Sequence, residues 1–295
     1  MSKRDKKPKI VAIVGPTASG KTGLAIRLAK RFRGELISAD SRQIYKGMDI
    51  GTAKDASYPQ FLIDTVSPKT VWSALKHKKA AEARIREILK RGRLPILVGG
   101  TGLYTKAILE NLKIPAVKID KGLREKLEKT PLEELQRKLS EFDPEAARIT
   151  GQNKRRVIRA LEVILKTGNN FSSQRLKGSP LWDALQIGIK IPRKELYKRI
   201  GKRIDGQIKM GLVNEVKNLV KKYGENAYAL RNTIGYKELL TYLRGEITLE
   251  RAIEEIKKNS RHYARRQITW FKMQPNIHWV QNEREAEKLI RMFLD

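Results

Sequence analysis

An alternation of strand-like and helix-like segments, a glycine loop placed between the first such pair, and a strand-free middle section together predict an α/β protein. The expected architecture is a parallel sheet flanked by helices, interrupted by a small all-helical insertion. Lys9–Val14 is short, β-branched and ends at Gly15, as a buried strand does. Leu24, Leu28 and Phe32 then recur at helical spacing over Thr22–Phe32. Glu35–Ala39, Phe61–Val66 and Leu94–Val98 read as three more strands, the last running into Gly99-Gly100. Between the last two, Ser73–Arg91 carries Leu75, Ile85, Ile88 and Leu89 on one side of a basic helix.

The pattern changes after Leu112. Thr130-Pro131-Leu132-Glu133 has the form of a capping box with Pro at the first helical position, and Asp143-Pro144 starts another helix in the same way. Asn153–Lys166 is a third helix, with Val157, Leu161 and either Ile164 or Leu165 inside, and Gly168–Gly178 is an Asn/Ser/Gly-rich flexible connection. Leu185–Ile191 restores a strand, Ile277–Val280 supplies the last, and the remainder is mostly helical. The expected division is a core of residues 1–113 and 181–295 and a helical insertion of residues 114–180.

Composition narrows the function. The chain of 295 residues has 63 Lys+Arg against 32 Asp+Glu, a formal charge of +31, and 40% hydrophobic residues, enough for a buried core. Without cysteine there is no disulfide, thiol nucleophile or thiolate metal site, and three widely separated His (His77, His262, His278) do not make a His-rich one. Any metal is expected on oxygen. Apolar runs fall far short of the roughly 20 residues of a membrane span, and Met1–Lys9 has no apolar signal core, so cytoplasmic residence is expected. A surplus this large opposes compaction unless an anion relieves it, which points to a polyanionic partner. Lys3–Lys9 is expected to be a disordered basic arm with non-specific affinity.

Gly15-Pro16-Thr17-Ala18-Ser19-Gly20-Lys21-Thr22 matches G-x-x-x-x-G-K-[ST] between a strand and a helix, the context that motif requires. This makes the core P-loop NTPase-like. Its amides and Lys21 suit a diphosphate or triphosphate, and the Thr22 hydroxyl can ligate Mg²⁺. Asp40 and Asp64, each ending a strand-like run, are both candidates for the Mg²⁺ shell of a nucleotide kinase.

Further motifs are more specific. Asp40-Ser41-Arg42-Gln43-Ile44-Tyr45, Gly47–Lys54, Val98–Tyr104, Gly235-Tyr236-Lys237-Glu238 and Arg266–Phe271, in this order with the glycine loop, closely resemble the bacterial tRNA dimethylallyltransferases over about Lys9–Val280. The resemblance implies transfer of a dimethylallyl group from dimethylallyl diphosphate to N6 of the adenosine 3′ of the tRNA anticodon. It assigns Asp40 as the base that orients and deprotonates N6, Thr101 as a hydrogen-bonding residue that holds the adenine or the same proton network, and Arg203 as the cation that joins Lys21 on the departing diphosphate. Ser41, Arg42 and Gln43 would line the end of the channel that takes the flipped base. Gln152, Asn153, Lys154, Arg155, Arg156 and Arg159, with Arg231 and Lys237, would contact tRNA, as would Arg261, Arg265 and Arg266. Arg266 and Trp270, four apart, fit a cation–π pair equally well. Thr65, Ser67 and Trp72 depart from the family pattern without touching this chemistry. The partners implied are tRNA and dimethylallyl diphosphate, the cofactor Mg²⁺, and the expected state a monomer. Alternatives are a P-loop small-molecule or nucleoside kinase, an isopentenyltransferase acting on free AMP, and a non-catalytic RNA-binding module with a decayed P-loop.

Overall fold

The computed structural model describes residues 7–174 and 177–295. The chain divides into two compact units, one formed by residues 1–108 and 181–295 and the other by Leu109–Pro180.

In the larger unit the elements run β1 (Lys9–Val14), α1 (Lys21–Arg31), β2 (Gly34–Ser38), β3 (Gln60–Phe61), α2 (Ala74–Lys90), β4 (Leu94–Gly99) and α3 (Gly102–Leu109). After the smaller unit's α4 (Lys121–Lys129), α5 (Leu132–Phe142), α6 (Pro144–Thr150) and α7 (Lys154–Thr167) come β5 (Asp183–Ile189), α8 (Arg193–Lys209) and α9 (Leu212–Tyr223). The chain ends with α10 (Tyr228–Asn232), α11 (Tyr236–Leu243), α12 (Leu249–Lys272), β6 (Ile277–Val280) and α13 (Glu283–Leu294). The strands form one parallel sheet of order β3-β2-β4-β1-β5-β6. Ile10–Ile13 in β1 are fully buried, as the middle of a parallel sheet covered on both faces requires. On one face Leu24, Leu28 and Ala29 of α1 and Ala286 and Ile290 of α13 pack against Val11, Ile13, Ile96 and Ile187.

The structure departs from several local expectations, and part of one lies beyond the described residues. The strand expected over Phe61–Val66 is only Gln60–Phe61, because Leu62 and Asp64 turn into the left-handed region at φ 64° and 50° and lead the chain out of the sheet. Of the basic arm expected over Lys3–Lys9, residues 3–6 lie outside the described residues, and Lys9 opens β1. The connection after Gly168 is tied down through residue 174: the Ser172 amide donates to Asp143 Oδ2 at 2.8 Å and Gln174 Nε2 donates to Thr167 Oγ1 at 3.0 Å. Residues 175–176 of that stretch lie outside the described residues.

The smaller unit is built of α4–α7 around Leu127, Leu135, Leu139, Val157 and Leu161. Helix α4, not expected from the sequence, is capped by Asp120, whose side chain accepts from the Leu123 amide, and buries Leu127. Thr130 is not a capping-box residue: it closes α4, its hydroxyl donating to Lys126 O, and Pro131 stands at the cap position of α5. Asp143 and Asn153 do cap α6 and α7, each accepting from the amide three residues on. Ile164 is buried and Leu165 half exposed.

Candidate functional site

The ends of three neighbouring strands, β2, β4 and β1, make a ledge at the carboxyl edge of the sheet, where open α/β folds bind ligands. The glycine loop follows β1, Asp40 follows β2, and Thr101 follows β4 between them. Close approach is enforced at Gly99, where a Cβ would lie 2.2 Å from Ala39 O. That contact lets Thr101 N–H donate to Ala39 O at 3.2 Å and Ser41 N–H to Thr101 Oγ1 at 3.0 Å. Asp40 Oδ1 accepts from the amides of Arg42, at 2.8 Å, and Gln43, at 3.4 Å, fixing the turn that carries Ser41, Arg42 and Gln43.

Within the glycine loop Ala18 at φ 61° and Gly20 at φ 87° take left-handed backbone, the kind of turn that brings successive amides into one concavity. A non-glycine residue held there costs about 1–2 kcal/mol, strain of the kind found at ligand clamps. The Ser19 hydroxyl is buried with no hydrogen-bond partner among the described residues. Buried hydroxyls are as a rule hydrogen-bonded, and this one stands in the phosphate loop itself, where an anion oxygen can satisfy it. Arg203, from α8, reaches the loop and donates to Thr17 Oγ1 at 3.2 Å.

Charge is concentrated here. Burial lowers the Lys21 ammonium from its usual range to about 8, against the attraction of Asp40, and Arg203 lowers it further. Burial likewise lowers the Arg203 guanidinium, which Asp40 opposes. Two desolvated cations at the loop, both coupled electrostatically to Asp40, form a site that gains from an incoming polyanion. Around Asp40 lie aromatic groups: His77 stacks on Tyr104 with centroids 4.1 Å apart, and burial lowers its imidazole to about 4, so it is neutral at pH 7. Tyr263 of α12 is pushed up to about 12, first by burial and then by Asp40.

The remaining expected residues divide. Asp64 is not at the ledge; it pairs with Lys54 at 2.5 Å and accepts from the Gly47 amide, which removes it as a metal ligand of the site. Arg159 is held by the fully buried Glu162 at 2.5 Å and by the carbonyls of Pro115 and Val117, so its role is inside the smaller unit. Lys154 donates to Glu128 O, and Asn153 spends its side chain on the helix cap. Gln152, Arg155 and Arg156 are exposed on the same helix start. Arg231 is exposed and bonded to Asn226, and Lys237 lies 3.5 Å from Glu238. Arg266 stands over the ring of Tyr263, not Trp270, whose indole packs where Gly102 lacks a side chain. Trp72 does approach the site: its Nε1 donates to His77 Nδ1 at 3.3 Å.

Sequence reasoning gave no role to Gln267. Its buried amide accepts from the Thr17 amide and donates to Gly100 O, both at 2.8 Å, tying the phosphate loop to the turn that carries Thr101. The signal was present: Gln267 shares the buried face of α12 with Ala264 and Phe271, where a polar residue needs partners.

Comparison with known proteins places this geometry. The family model described as IPP transferase matches residues 43–274, and one described as isopentenyl transferase matches residues 8–59. The chain is 43% identical to the tRNA dimethylallyltransferase of Staphylococcus epidermidis over 98% of its length and 90% of that protein. It is 47% identical to that of Caldanaerobacter subterraneus over 92% of its length and 91% of that protein. Among solved structures, the tRNA isopentenylpyrophosphate transferase of Bacillus halodurans aligns with TM-score 0.73 at 41% identity, covering 98% of this chain and 96% of that one. A eukaryotic dimethylallyltransferase acting on tRNA aligns with TM-score 0.78 at 28% identity, covering 93% and 74%. Matched over most of its length by that family model and by these relatives, the chain belongs to the IPP transferase family, as a tRNA prenyltransferase.

Proposed function

We propose that this ledge transfers a dimethylallyl group from dimethylallyl diphosphate to N6 of the adenosine just 3′ of the tRNA anticodon, releasing diphosphate. The observation that carries the reading is the order of groups along the ledge: a cationic phosphate cradle at one end, an aspartate at the other, and Thr101 bonded into the turn beside that aspartate. An allylic C–O bond breaks readily when charge on the departing diphosphate is neutralised, and Lys21, Arg203, the loop amides and the Ser19 hydroxyl are aimed at that charge. Adenine N6 is a weak nucleophile that becomes acidic as the new N–C bond forms. Asp40 takes its proton, with Oδ1 already committed to the turn and Oδ2 as the base.

Thr22 lies in the first turn of α1, directly after the glycine loop, and among the described residues no cluster of three or more His, Asp or Glu forms a metal cage. This donor set fits Mg²⁺, which keeps waters and is held chiefly through substrate phosphates. Bound there, Mg²⁺ would neutralise diphosphate charge. The kinase alternative loses its second carboxylate with Asp64. An enzyme for free AMP has no use for the exposed cations of α7. We place the enzyme, acting as a monomer, in the cytoplasm with its tRNA substrate.

The direct test is mass spectrometry of nucleosides from tRNA incubated with protein, Mg²⁺ and dimethylallyl diphosphate. The expected result is one dimethylallyl group on adenosine; product on AMP alone, or ADP formed from ATP, would overturn the reading.

Gln152, Arg155 and Arg156, with Arg231 and Lys237, are the proposed backbone contacts. Cations at a helix start are locally unfavourable unless phosphate meets them. Neutralising Arg155 and Arg156 together is expected to weaken tRNA binding and reduce the slope of log affinity against log salt by about 0.7–0.9 for each phosphate no longer neutralised. An unchanged slope in a filter-binding titration would return both to a solvated face.

A further inference from the structure

The loop after Tyr45 is held by a saturated carboxylate. Glu215, in the first turn of α9, accepts from the amides of Asp49 at 3.0 Å and Ile50 at 2.7 Å on Oε2, and of Gly51 at 3.2 Å on Oε1. Its Oε1 also accepts from the buried Tyr236 hydroxyl at 2.6 Å. Four donors fill the four lone-pair positions of a carboxylate, so Glu215 has no capacity left for proton transfer or metal binding. From the other side the buried amide of Gln207 donates to the carbonyls of Ile50, at 2.6 Å, and Gly51, at 3.2 Å. Gly51 must be glycine, since a Cβ would lie 2.5 Å from the Tyr236 ring.

The clamped loop leads back to the reacting carboxylate. Gln43 Nε2 donates to the carbonyls of Thr52 and Ala53, both at 3.3 Å, while the Gln43 amide donates to Asp40 Oδ1. Gln207 lies four residues after Arg203 on α8, one turn away on the same face, so that helix reaches both the phosphate cradle and the clamped loop.

We propose that Glu215 and Gln207 are positioning residues that mould the Asp49–Ala53 loop so that Gln43, and through it the Asp40 turn, meets the nucleobase of the acceptor RNA. They act on the acceptor end of the reaction and leave the donor end alone. This rests on the transfer reaction proposed above.

Glu215→Gln puts an N–H₂ where a carboxylate oxygen gathers amides, and Gln207→Met removes both donors while keeping the shape. In each variant the expected result is a fall of about tenfold to a hundredfold in kcat/KM for tRNA, as for a lost buried hydrogen-bond group. The KM for dimethylallyl diphosphate and inhibition by pyrophosphate should stay within about twofold, since every donor-side group remains in place. Amide hydrogen exchange over residues 47–54 should speed up in both. Should Glu215→Gln fail to fold, Tyr236→Phe removes one of the four hydrogen bonds and should show the same split more weakly. Unchanged exchange, or acceptor and donor parameters falling together with thermal stability, would overturn the proposal. The exchange readout needs no turnover: loop protection lost in the variants of a wild type that does not prenylate tRNA would retain the clamp as structure, and overturn its role in the reaction together with that reading.

Discussion

Asp40→Asn should lower single-turnover prenylation by about two to four orders of magnitude, the range of a lost general base, while tRNA affinity stays within a few-fold. Asparagine retains an Oδ1 that accepts from Arg42 and Gln43, so the turn survives and only basicity is removed. Asp40→Ala takes the turn's acceptor as well and should cost a further amount of stability, about 0.5–2 kcal/mol by analogy with lost helix caps. Comparing the two variants in a rapid-quench assay separates chemistry from structure. Near-normal turnover in Asp40→Asn would reduce the aspartate to a turn residue. Donor binding carries the opposite sign: Asp40 attracts Lys21 and Arg203, so removing its charge should tighten inhibition by pyrophosphate at pH 7. A weakening would mean that Asp40 organises the cradle rather than competing with it.

The phosphate end of this site was legible in the chain because its chemistry is written in contiguous residues: Gly15–Thr22 is a backbone shape, and glycine spacing reports it. Asp40 was legible for a related reason, as a carboxylate following a buried strand whose end could be read, whereas its role as base and the choice of Thr101 came from the family resemblance. Arg203 was reached only through family resemblance, for nothing in its basic helix distinguishes it from the neighbouring cations until its guanidinium is found on Thr17. Arg159 shows the opposite failure. Exposed and buried arginines look alike in sequence, and its partner Glu162 lies one turn away on a face that reads as ordinary core. Gln267, Gln207 and Glu215 were missed because their bonds span sequence separations of 250, 157 and 166 residues, which no local pattern encodes. The lost third strand has a different origin, since Leu62 and Asp64 adopt positive φ without glycine to announce it.

Lys21→Met should reduce turnover by about a hundredfold to a thousandfold, the usual consequence of removing one donor aimed at developing charge. The pH dependence gives a sharper test of the same residue. With its ammonium lowered to about 8, free Lys21 is charged at pH 7 and neutral at pH 9. Above pH 8 the donor must be met by a protonation, so kcat/KM for dimethylallyl diphosphate should fall about tenfold per pH unit, reporting the free enzyme. The limb in kcat should lie higher, because bound diphosphate favours the charged amine. Neighbours then identify the group. Arg203 lowers Lys21 and Asp40 raises it, so Arg203→Met should move the limb to higher pH and Asp40→Asn to lower pH, although both variants are slow. A limb that stays in place in both variants would belong to another group, and the proposal that Lys21 is the buried cation neutralising the leaving diphosphate would fail with it.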